Sequence, residues 1–285
     1  MTNHSVDLLI NMYERTYRKV LVPGFFPAVE KQNCRSFANR IAIINNVDSR
    51  KDAASHAELL LASGEIDRYF FVADHIDQAL AKTGLANEDL GLVANCINWA
   101  ITGIHVTPSP WFVFWDSEIW MNEPCNWIDP SIEFMNANNN VLTSSPNHHP
   151  EWVQSSIRKG NFQLVDDFGL GYHFSDQLFL ARTEQFARPI YNEKCIASLR
   201  YPLAHLGSIF EMRVDAYMRN HRLKKAIFIP AVYNHPEETI GLGYPQGLRK
   251  IEKLKMIRNE YIYRKLRDRP ICGLLKIIGK EHLIA

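Results

Sequence analysis

The sequence predicts an α/β protein built on a mostly parallel sheet. Three observations carry that expectation. Short apolar runs alternate with amphipathic stretches along the first half of the chain. The clearest runs end abruptly on polar residues. At 285 residues, 46% apolar and 22% charged, the chain is long enough to bury a substantial core. Open sheets of this kind take ligands beyond the carboxyl ends of their strands, so polar strand ends gathered on one edge mark the place to look for function.

Residues 4–20 are mixed apolar and charged, with Leu8, Leu9, Met12 and Tyr13 near helical spacing, and read as a short helix. Pro23-Gly24 and Pro27 break the chain. Residues 40–47 form the first strand and end in Asn45-Asn46-Val47-Asp48-Ser49-Arg50. A helix over 52–62 is stopped by Gly64. Residues 69–73 form a second strand ending at Asp74-His75, followed by a helix to Thr83 closed by Gly84. Residues 90–95 read as a third strand or a strand–helix junction, and 99–106 fit either state. From 122 to 150 the chain is loop-like, interrupted by Pro124, Pro130, Pro146 and Pro150. A helix is expected over 201–221, preceded by His205, and a late strand over 226–233. The organisation expected is an N-terminal helical segment (1–37), a central domain (38–247, halves 38–121 and 122–247) and a basic amphipathic helical tail (248–285).

The most informative stretch is 111–121. An aromatic run bounded by Pro108 and Pro110 reads as a buried strand and ends on Asp116 and Glu118. Side chains two apart on a strand point the same way, so the two carboxylates converge while Ser117 faces away. Paired carboxylates repel, so the pair favours a cation or a shared proton; a hard divalent ion, Mg²⁺ or Mn²⁺, takes such oxygen ligands. Asp116-Ser117-Glu118 resembles the Asp-x-Asp motif of GT-A glycosyltransferases, with Glu in place of the second Asp. The resemblance, over about 38–236, implies a GT-A-like (Rossmann-like) fold that binds the diphosphate of a nucleotide-sugar through the metal. It implies nucleotide-sugar contacts from Asn46, Asp48, Arg50, Asp74 and Asp116, and it makes His235, after the late strand, a third metal ligand.

A second stretch, 174–182, resembles a region shared by many bacterial glycosyltransferases of the surface-glycan type, such as those of lipopolysaccharide or capsule biosynthesis. By position it makes Asp176 the acceptor-side carboxylate or general base. The residue types alone also allow Asp176, with Ser175, to cap a helix. Glu211, among apolar neighbours, is either a structural partner of Arg182, Arg213 or Arg219 or the base itself. His148, His149 and Trp152 are candidates for acceptor binding. Gly169 and Gly171 allow a turn or a close approach to ligand.

Net charge is +1 and no nucleic-acid module is present, so no nucleic-acid partner is expected. Five scattered cysteines without C-x-x-C argue against a disulfide scaffold and a zinc knuckle. With neither signal peptide nor spanning segment in view, a cytoplasmic enzyme is expected. The tail could lie on the inner face of a membrane, suiting a glycan or lipid-linked acceptor, or cover the domain or a twin subunit in a homodimer. The leading reading is a metal-assisted, hexosyltransferase-type glycosyltransferase. The alternatives are a nucleotidyltransferase on a similar sheet and a non-catalytic carbohydrate-binding protein.

Overall fold

The computed structural model describes residues 4–201 and 207–236, with residues 251, 254, 255, 257, 258, 261 and 282. The expectations for His205 and for most of the tail lie outside the described residues. No helix among the described residues is long and apolar enough to cross a membrane.

The sheet is mixed and mostly unidirectional. Its strands are β1 (Val6–Met12), β2 (Asn39–Ile44), β3 (Arg68–Phe71), β4 (Trp111–Asp116), β5 (Trp120–Met121), β6 (Val141–Asn147), β7 (Gln163–Val165), β8 (Phe168–Gly171), β9 (Leu178–Arg182) and β10 (Lys224–Asn234). Their order is β3-β2-β1-β4-β9-β6-β10-β8-β7, with β5 paired to β10. Parallel pairing joins β3, β2, β1 and β4, and again β6 and β10; β9 and β8 run against their neighbours.

Helices cover both faces. The face formed by Leu8, Ile10, Val113 and Trp115 packs on α2 (Phe25–Gln32), α3 (Arg50–Ala62) and α6 (Ile128–Ala137). The face formed by Leu9, Phe112, Phe114 and Phe179 packs on α4 (Val72–Thr83), α5 (Asn98–Val106) and α9 (Phe210–Asn220). Shorter helices are α1 (Tyr17–Val20), α7 (Pro150–Arg158) and α8 (Thr183–Phe186).

Three expectations are corrected. The helix expected over 4–20 is β1, a central strand between β2 and β4, followed by α1. It is apolar on both faces because both are buried, and such a run mimics helical spacing. Its one acid, Asp7, is fully buried and accepts from Ser109 N–H (3.0 Å), Ser109 Oγ (2.7 Å) and Asn39 Nδ2 (2.7 Å). Residues 87–96 form 3₁₀ turns, not a strand. The 122–150 segment is not a loop, since it holds α6 and β6. Pro130 and Pro150 lie in the first turns of α6 and α7, where a missing N–H costs no helical hydrogen bond.

Under α9 lies a buried ion pair. Arg219 Nε meets Asp215 Oδ2 at 2.9 Å with both side chains almost fully enclosed, and Ser198 Oγ donates to the same oxygen at 3.0 Å. Asp215→Ala strands the Arg219 charge in the interior and is expected to cost about 3–5 kcal/mol. Urea unfolding of the two proteins checks this, and a loss below about 1 kcal/mol would contradict the burial argument.

Candidate active site

β4 delivers Asp116 to the carboxyl edge of the sheet, where the chain turns. Asp116 Oδ1 accepts the Glu118 N–H at 2.9 Å, and the Asp116 carbonyl accepts the Ile119 N–H at 3.2 Å. This side-chain turn, rather than strand alternation, brings Glu118 round to Asp116. The same turn starts β5, which pairs antiparallel with the end of β10, Met121 opposite Tyr233 and Trp120 opposite Asn234. That pairing places His235 beside the two acids.

One ligand atom from each of Asp116, Glu118 and His235 lies within 4.8 Å of the others. His235 Nδ1 is buried with no hydrogen-bond partner among the described residues. Two carboxylates and an imidazole form an oxygen-rich set with one nitrogen, which suits Mn²⁺ better than Mg²⁺. Burial holds the Asp116 carboxyl above its ordinary range, against the opposing pull of the Glu118 N–H and His235.

Two further residues at this edge were not singled out in the sequence. Asn11 stands in register with Asp116 on the neighbouring strand, and its Oδ1 is buried and unpaired among the described residues. Tyr13 follows β1; burial, then the charge of Glu118, raises its hydroxyl, with Asp116 adding to the effect. Reading 4–20 as a helix hid both, since only a strand parallel to β4 brings them to Asp116.

The reversed strand β9 supplies the acid on the other side. Because it runs against β4, its entry lies where β4 ends, and Gln177 O accepts the Asp116 N–H at 2.8 Å. Asp176 therefore sits one residue from a direct backbone link to the metal-competent turn. No helix follows it, so the helix-cap alternative for Asp176 and Ser175 is overturned. Glu211, in the first turn of α9, accepts the Asp176 N–H at 3.2 Å. Burial raises the Asp176 carboxyl well above its usual range, and the charge of Glu211, the charge of Asp116 and a carboxyl–carboxyl hydrogen bond with Glu211 add to it. Two buried carboxyls this close disfavour being ionised together.

The arginines proposed as partners of Glu211 are used elsewhere. Arg213 donates to the carbonyls of Tyr191 and Ser208, each at 2.8 Å. Arg182 bonds Met135 O and Asn136 Oδ1 at 2.9 Å. Arg219 holds Asp215.

Beside the carboxyl pair opens a cavity of about 390 Å³. His148, His149 and Trp152 all line it, together with His173, Gln177, Lys225 and Tyr233. The His148 ring stacks on Tyr233 at 4.8 Å, and burial, then the neighbouring His149, pushes its pKa down to about 4. Tyr233 donates to Gln177 Oε1 at 3.1 Å. Gly171 admits no ligand: a Cβ there would stand 2.1 Å from the Phe162 ring, which stacks on His173.

The expected nucleotide contacts follow β2 and β3. Asn46 takes a positive φ of 45° in the exposed loop after β2. The Asp48 N–H donates to Glu14 Oε2 at 2.8 Å. Arg50 and Asp74 hold each other in a two-point ion pair, with the guanidinium 4.3 Å over the Phe71 ring. Asp74 lies in the first turn of α4, beyond the strand end. A diphosphate approaching Arg50 would have to compete with Asp74.

No protein-family model matches the chain, and no curated protein sequence does. Among solved structures it is similar to GalNAc-T7 with UDP, GalNAc and Mn²⁺, at TM-score 0.50 and 11% identity, over 98% of this chain and 55% of that one. The fold is of the GT-A glycosyltransferase type. The chain spans about half the length of the GalNAc-T7 structure. It is also similar to a mannosyltransferase from Pyrobaculum calidifontis in complex with GDP-Man and Mn²⁺ (TM-score 0.48, 10% identity, 99% of this chain and 70% of that one). A third similar structure is glucosyl-3-phosphoglycerate synthase from Mycobacterium tuberculosis with Mn²⁺, UDP and phosphoglyceric acid (TM-score 0.42, 15% identity, 93% and 78%). On this GT-A-type sheet, the metal-competent turn and the carboxyl pair meet at one edge.

Proposed function

We propose that the protein is a hexosyltransferase that moves a sugar from a nucleoside diphosphate to a hydroxyl of a glycan or lipid-linked glycan of the surface-glycan type. The observation that carries this reading is the junction of two acidic sites through the Asp116 N–H bond to Gln177 O. One site, Asp116, Glu118 and His235, has the donor set for a divalent cation. The other, Asp176 and Glu211, brings two carboxyls together, and burial with the charge of Glu211 raises Asp176. The similar GalNAc-T7 structure, described with UDP, GalNAc and Mn²⁺, supports pairing a cation with a nucleotide-sugar on this fold.

A bound cation would supply positive charge to the departing diphosphate. Asp176, with Glu211 as the second choice, accepts the proton of the acceptor hydroxyl as its oxygen bonds to the anomeric carbon. The bond from that carbon to the diphosphate oxygen breaks, and the electron pair leaves with the nucleoside diphosphate. Asn11 and Tyr13, at the end of β1 beside Asp116, would flank the nucleotide. Asn46, Asp48, Arg50 and Asp74 line the neighbouring strand ends.

The test is a panel of UDP- and GDP-sugars incubated with the protein, with and without Mn²⁺, followed by measurement of released nucleotide. Mn²⁺-stimulated release of UDP or GDP from one donor is the expected result. Pyrophosphate release from nucleoside triphosphates, with no turnover of any donor, would reverse the reading in favour of nucleotidyl transfer.

A further inference from the structure

Lys225 is the second residue of the long strand β10 and is only 3% exposed. It lines the cavity beside Asp176 and Glu211. Its ammonium has no hydrogen bond and no ion pair within 4.0 Å among the described residues. A lysine enclosed to this degree is costly unless something answers its charge. Burial lowers its pKa to about 8, and only the more distant charges of Glu211 and Asp176 hold it up.

Among the described lining residues the other basic groups are His148, His149 and His173, and there is no carboxylate. At the rim stands Trp152, 47% exposed, an apolar plane of the size of a sugar ring. A neutral acceptor would leave Lys225 without a direct counter-charge, whereas an anion entering the cavity would answer it.

We propose that this cavity takes an acidic sugar as acceptor, its carboxylate or phosphate countered by Lys225 and its ring laid against Trp152. The proposal rests on reading the site as a transferase and narrows its acceptor to an anionic glycan.

The test uses the full chain with Mn²⁺ and UDP or GDP, whichever binds, and titrates three probes by calorimetry: methyl β-D-glucuronide, glucose 6-phosphate and methyl β-D-glucoside. At least one anionic probe is expected to bind about tenfold or more tightly than the glucoside. The tighter of the two identifies carboxylate or phosphate as the group recognised. In Lys225→Met that ratio is expected to fall to about one, while Mn²⁺-dependent nucleotide binding persists and a thermal melt shows the variant folded. Trp152→Ala, at an exposed position, is expected to weaken every probe alike and serves if Lys225→Met does not fold. The proposal is overturned if the glucoside binds as well as both anions, or if neither anion binds while nucleotide does. It is also overturned if Lys225→Met lowers all three probes equally, which would make Lys225 a positioning residue for the carboxyl pair. Absence of nucleotide binding in the unmodified protein would instead defeat the transferase reading, and the probe ratio would still report on the cavity.

Discussion

Asp176→Asn is expected to lower kcat by about 10²–10⁴-fold, the range for loss of a general base, with donor KM little changed. The amide keeps the size of the side chain and the backbone bond to Glu211 but can no longer accept the proton. The pH profile gives a second reading. A base must be unprotonated to act, and burial beside Glu211 raises the Asp176 carboxyl. Transferase activity of the unmodified protein is therefore expected to rise with pH through an apparent pKa above the usual carboxylate range, a value belonging to the pair. Asp176→Asn should remove or displace that limb. Unchanged kcat and an unchanged acid limb would transfer the role to Glu211 or end the base assignment.

Asp116→Ala is the companion experiment on the cation side. It removes one of three ligand candidates and also the acceptor of the Glu118 N–H, so the turn that presents Glu118 is lost with it. Mn²⁺ binding, read directly from the free-ion signal in electron paramagnetic resonance, should weaken sharply. Turnover should fall by about 10²–10³-fold, as when one source of transition-state charge stabilisation is removed. Full Mn²⁺ binding in Asp116→Ala would show that the cation is held elsewhere.

How much of this could be read from the residues depended on burial. The run at 111–116 was legible because prolines bound it and carboxylates end it. Its neighbour β1 was not, because a strand buried on both faces has no period-two signature, and its one acid points to Ser109 and Asn39 rather than to water. In 122–150 the prolines read as breaks, although two of them lie in the first turns of helices. At the site, Asp116, Glu118 and His235 converge as expected, but through a local turn and a strand pairing that spacing alone does not encode. The partner of Glu211 was legible only as a choice among arginines. The contact that Glu211 makes with the Asp176 N–H depends on the direction of β9 and the start of α9, both tertiary facts. Lys225 escaped notice because it stands just before the apolar heart of its strand, where a lysine ordinarily reaches solvent.

The Asp7 cluster lies at the opposite end of the strands from the chemistry. Asp7 grips Ser109, whose carbonyl accepts the Thr183 hydroxyl at the exit of β9. From there to Asp116, β4 runs six residues, Trp111–Asp116, or roughly 17 Å at strand rise. Anchorage and reaction thus occupy separate ends of the same strands, too far apart for side chains to couple directly. Changes to the anchoring end should sum with changes to the Asp116 end, so the protein can be toughened at one without retuning the other.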